Sequence, residues 1–160
     1  MRIVLLNTWA LFLSFAIISL GHGLQGTLIG VRAVLEGFSL ISTGLIIAGY
    51  YFGFLGGSIA MPLLIERVGH IRVFAALASL ASIAILLHSI FLDPTLWFLI
   101  RMLTGFCIAG IFIIMESWLN NKSTNTTRGK LLSFYFIITF SFVGIGQLLL
   151  NLSDPAKMNL

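Results

Sequence analysis

Five long apolar runs organise the chain, over about residues 3–28, 40–64, 72–92, 97–118 and 131–152, and short polar or charged stretches part them. Each run reaches the ~20 residues that a helix needs to cross a hydrocarbon core. The pattern predicts an all-α membrane protein with five transmembrane helices. A cleaved signal peptide does not fit the first run, which follows only Arg2 as positive charge, exceeds the usual apolar length and ends without a small-x-small site. At about 100° per residue, Asn7, Ser14 and Gln25 of that run fall within about 20° of one line, with His22 about 60° away. Such a seam is costly against lipid, so it is expected to face other helices or a wet cavity.

Small residues mark the packing faces. Gly49, Gly53 and Gly57 recur every fourth residue in the second run, a spacing that lets a neighbouring backbone approach closely where no hydrophobic force drives helices together. In the fourth run Gly105 and Ala109 follow Arg101 at the same interval, so Arg101 is expected to turn towards the bundle and would suit an anionic group of a solute; snorkelling to the outer interface is the open alternative. Trp97 and Trp118 lie 21 steps apart, about 31 Å, and read as the two aromatic belts. The fifth run carries Ser141, Gly144, Gly146 and Gln147 in its outer half.

The separators hold most of the charge. Glu66, Arg67 and Arg72 sit in a hinge from Pro62 to Arg72, and a charge at the centre of a bilayer costs about 2.5–3.5 kcal/mol, so this hinge is expected at the water interface as a tight loop, 65–71. A second loop on the same side covers 119–130. Between Gly30 and Ser39 the sequence predicts a loop outside the core in which Arg32 and Glu36 stand four apart. Asp93-Pro94 ends the third helix.

Composition supports this picture and excludes others. With 59% hydrophobic and 9% charged residues and a mean hydropathy of +1.09, the chain lies far from soluble domains. Its net charge of +4 is spread singly, which argues against nucleic acid and for a topological role. Placing Arg2, Arg67, Arg72, Lys122, Arg128 and Lys130 inside leaves Arg32 and Lys157 outside, so the amino terminus is expected in the cytoplasm. Cys107 has no partner cysteine and reads as a small core residue. No nucleophile-base pair, metal cluster or phosphate loop is present in the sequence, so no enzyme, metal or cofactor is expected.

The hinge Glu66-Arg67-Val68-Gly69, with Arg72 three places on, resembles the helix 2 to helix 3 signature of the major facilitator superfamily, although Pro62 stands where a glycine is usual and Ile71 where a base often sits. Arg101-x-x-x-Gly105 resembles that superfamily's helix 4 motif. Gly23-Leu-Gln-Gly-Thr27, Gly49-Tyr-Tyr-Phe-Gly53, Glu116-Ser-Trp-Leu-Asn120 and the stretch from Gly146 to Pro155 are similar to its YcaD-like branch. The resemblance implies the first five helices of an incomplete amino-terminal bundle, over residues 1–160, in a secondary transporter of a bacterial plasma membrane. It also implies a small solute bound near mid-membrane, with Asn7, Ser14, His22, Gln25, Arg101 and Gln147 on the pathway. Carried over, Glu66, Arg67, Gly69 and Arg72 form a cytoplasmic latch, with Glu116 its acidic partner. Five helices where the superfamily has twelve imply a truncated chain, inactive alone, that needs a missing half or self-associates. The alternative is a non-transporting membrane subunit that binds a partner through its glycine faces.

Overall fold

The computed structural model describes residues 2–152, and side chains from Trp9 onward. Five helices follow in order: α1 (Arg2–Leu35), α2 (Leu40–Val68), α3 (His70–Ile90), α4 (Pro94–Lys122) and α5 (Arg128–Leu149), with a short 3-10 turn at Leu150–Leu152. No strand occurs among the described residues. All five helices hold spans long and apolar enough to cross a membrane, and many large apolar side chains, Trp9, Ile41, Ile59 and Phe140 among them, face outward. Outward apolar surface on every helix is what lipid requires, and the protein is an integral membrane protein.

α1, α2 and α4 outrun their expected ends, whereas α3 stops at Ile90, before Asp93-Pro94. α1 continues through Gly30 and Arg32 to Leu35, because a helix satisfies its own backbone and needs only its end near water. It stops where Gly37 takes φ +76 and Phe38 N–H reaches back to the Ala33 carbonyl at 3.0 Å. α2 passes through Pro62, which removes one donor but not the helix, and carries Glu66 and Arg67 on its last turn. The predicted loop 65–71 shrinks to Gly69, whose φ of +91 and N–H bond to the Ile65 carbonyl at 2.9 Å turn the chain directly into α3. α2 begins on Ser39, whose Oγ accepts from Ser42 N–H at 3.1 Å, and Asp93 caps α4 through Leu96 N–H at 2.8 Å. Thr124 and Thr127 close the shortened α4–α5 loop through hydroxyl and backbone bonds near 3.0 Å.

The chain divides into two units. One gathers α1 as far as Arg32 with the chain from Trp118 onward, and so contains α5. Here α1 and α5 run parallel: Phe12 meets Phe134 at 5.2 Å and Phe15 meets Tyr135 at 5.0 Å, while further along Gly23 lies against the Val143 backbone and Gly146 against that of Leu20. The other unit gathers Ala33–Ser117. In it α2 and α4 run parallel and α3 antiparallel to α4, with His70 beside Ser117, Leu77 beside Gly110 and His88 beside Trp97.

Candidate functional site

Glycine brings α2 and α4 together. A Cβ added at Gly49 would meet the Phe98 carbonyl at 2.9 Å, one at Gly53 would overlap the Met102 carbonyl, and one at Gly57 would lie 2.6 Å from the Phe106 carbonyl and 3.1 Å from Ala109 Cβ. Opposite them, a Cβ at Gly105 would overlap the Tyr50 carbonyl. The helices therefore meet backbone to backbone over two turns. That approach determines where Arg101 ends up.

Arg101, one turn before Gly105, is only 5% exposed. Its guanidinium carbon lies 4.9 Å from the centre of the Tyr50 ring, a cation–π contact contributed by α2. Neither Nε nor Nη1 has a hydrogen-bond partner in the protein. The snorkelling alternative is thus not the geometry adopted, since a snorkelling arginine would carry its head into water.

His88 on α3 is also 5% exposed and meets Trp97, one turn before Arg101 on α4. Its Nδ1 lies 2.8 Å from the Ala84 carbonyl. A carbonyl only accepts, so Nδ1 donates the proton and, in the neutral ring, Nε2 keeps a lone pair. That Nε2 has no partner either, and neither does the Thr43 hydroxyl on α2, 7% exposed. Each of three helices thus contributes a buried polar group with unmet hydrogen-bonding capacity, an arrangement that costs about 1–3 kcal/mol per group. Trp97 helps to hold this end: it is 2% exposed, packs edge-on against Phe38 and His88, and donates its indole N–H to the Phe91 carbonyl. Its expected place in a lipid-facing belt is corrected accordingly. The polar tip found its partner indoors.

The remaining predicted residues scatter. In the α1–α5 unit Gln25 is 5% exposed with Nε2 unpartnered, whereas Ser14 is exposed and bonds back to the Ala10 carbonyl at 2.8 Å. His22 is half-buried and Gln147 exposed. The side chain of Asn7 lies outside the described residues. The expected seam is therefore split, because Ser14 satisfies itself on its own helix. At the hinge, Glu66, Arg67 and Arg72 are exposed and Glu116 half-buried, and neither arginine pairs with Glu116 within 4.0 Å in this conformation. The hinge instead meets α4 through His70 Nε2 and Ser117 Oγ at 3.0 Å. Cys107 is buried, and no His, Cys, Asp and Glu cluster fit for a metal exists among the described residues.

From its place near the outer end of the third span His88 is expected at the interface rather than as a ligand, and the structure buries it instead; Thr43, Tyr50 and His70 were not singled out from the sequence. Tyr50 and Thr43 had a readable signal, since both lie on the face of α2 that carries Gly49, Gly53 and Gly57. His70 had none, being fixed by the antiparallel pairing of α3 with α4.

Comparison with known proteins adds the family. A family model described as "Uncharacterised MFS-type transporter YbfB" matches residues 32–158. An uncharacterized MFS-type transporter of Yersinia pestis is 31% identical over 109 residues, covering 68% of this chain and 28% of that protein. The uncharacterized MFS-type transporter YcaD of Escherichia fergusonii is 27% identical over 143 residues, 89% of this chain and 37% of its own length, and that of Escherichia coli is 26% identical over 135 residues, 84% and 35%. The chain spans about a third of the length of these curated relatives. No solved structure matches. With most of its length matched and five membrane-spanning helices in place, the chain belongs to the major facilitator superfamily of transporters.

Proposed function

We propose that this chain forms the amino-terminal helices of a secondary transporter that moves a small solute bearing an anionic group by alternating access. The observation that carries the reading is Arg101, a buried cation with two nitrogens open for bonding. A charge so held is expensive unless something pays for it in another state, and intramembrane ionisable residues mark pathways for that reason. A carboxylate or phosphate would accept a strong charge-assisted bond from Nε or from Nη1, while Tyr50 shapes one wall and His88 Nε2 offers an acceptor to a solute hydroxyl or amide. In the other unit Gln25, buried with Nε2 unpartnered, is a separate candidate, and Ser14, His22, Gln147 and Asn7 have weaker claims. Alternating access needs two bundles that rock about a shared mid-membrane site, and these five helices provide part of one. The chain reconstituted alone into liposomes, with an ion gradient and a panel of labelled organic anions, is expected to take up no more than empty vesicles. Saturable uptake that Arg101→Ala abolishes would overturn the need for a second bundle.

The hinge completes the proposal as a cytoplasmic latch of Glu66, Arg67, Gly69 and Arg72, with Glu116 engaged in the opposite state of the cycle, since it is unpaired with them here. This requires the ends of α2 and α4 to face the cytoplasm. Reporter fusions at Asn125 are expected to show cytoplasmic activity and fusions at Arg32 external activity. An external signal at Asn125 would remove the latch and the orientation together.

A further inference from the structure

We propose that the start of α5 is a binding site for an anionic phospholipid. A cavity of about 590 Å³ opens there, lined by Asn125, Thr126, Lys130, Ser133, Phe134 and Ile137. Its two halves differ in chemistry. The first four residues offer an amide, two hydroxyls and an ammonium group, a set that matches a phosphodiester and its glycerol oxygens. Phe134 and Ile137, 42% and 62% exposed, give an apolar wall, and Phe134 is braced edge-on by Phe12 at 5.2 Å. From Lys130 to Ile137 the helix rises about 10 Å. The site therefore runs from the polar end of α5 into its membrane-spanning part, the same course that a lipid follows from headgroup to upper acyl chain.

Charge selects among lipids. Between Glu116 and Asp154 the sequence has no acidic residue, but it has Lys122, Arg128 and Lys130. Lys122 lies over the Trp118 ring at 6.0 Å, while Lys130 lines the cavity and Arg128 stands exposed two residues before it. No carboxylate on this segment opposes an incoming phosphate. A zwitterionic lipid brings its own ammonium group to this basic rim and gains less. A soluble anion uses the rim and leaves the apolar wall bare. Only an anionic lipid matches both halves.

The test uses the full chain in micelles of an uncharged detergent, with phosphatidylglycerol or phosphatidylcholine added at equal mole fraction and bound lipid counted by native mass spectrometry. Phosphatidylglycerol is expected to be retained about fivefold over phosphatidylcholine, the preference that one membrane-surface cation confers. Lys130→Gln is expected to erase most of that preference and Lys122→Gln to leave it. Thermal unfolding without added lipid checks that Lys130→Gln folds, and Lys130→Arg is expected to restore binding. Equal retention of the two lipids, equal losses in Lys130→Gln and Lys122→Gln, or displacement by soluble glycerol phosphate would each overturn the proposal. So would retention of no lipid at all, which would assign the apolar wall to another helix of a longer transporter.

Discussion

Gly53→Leu is expected to destabilise the protein more than any other single substitution in α2. An added Cβ alone already overlaps the Met102 carbonyl, and the obstacle is helix backbone, which cannot swing aside as a side chain does. Overpacking a tight core costs about 1–3 kcal/mol when side chains can adjust, so a collision with backbone should exceed that range or force α2 and α4 apart. Gly56→Leu is the matched control, three residues on, where a Cβ meets nothing within 4 Å. Thermal unfolding of the purified variants in detergent is expected to show a large fall for Gly53→Leu and almost none for Gly56→Leu. Equal behaviour of the two would mean that the glycine contact between α2 and α4 does not hold in the membrane.

Arg101→Met is expected to do the opposite and raise stability. Replacing buried ionic groups by apolar residues of similar volume gains about 1–4 kcal/mol, because the cost of keeping an unsatisfied charge out of water disappears. The contact with Tyr50 is lost, worth up to about 2 kcal/mol when shielded. With the full loss of that contact, a net gain of up to about 2 kcal/mol remains. Arg101→Ala removes the same charge but leaves a cavity, so it should gain less than Arg101→Met. A lower unfolding temperature for Arg101→Met would show that Arg101 is satisfied in the folded protein and serves structure rather than a solute.

These two residues also show what can be read from a sequence of this kind. Lipid imposes long apolar helices, so the five spans and the class of fold follow from hydropathy alone. Glycines at four-residue spacing point to a close helix contact, and Gly49, Gly53 and Gly57 do lie along one. Which helix lies opposite is decided by tertiary pairing, which no local pattern records. The ends of helices were harder. Gly30 acts as a stop in water but not in this membrane helix, and charges such as Arg32 and Glu66 mark the water boundary rather than the end of hydrogen bonding. Trp97 misled for a related reason: its distance from Trp118 matched a bilayer, yet its indole is buried against His88 and Phe38. His88, expected at the interface, is buried because α3 lies against the start of α4.

The proposed role of Arg101, kept buried and unsatisfied for the sake of a solute, is tested most directly by joining this chain, through Leu152, to the remainder of the YcaD relative from Escherichia fergusonii, and measuring gradient-driven uptake of labelled organic anions in liposomes once gel filtration shows a single folded species. Saturable uptake is expected from the parent chimera and none from its Arg101→Met variant, although that variant unfolds at a higher temperature. Undiminished uptake by Arg101→Met would contradict that role.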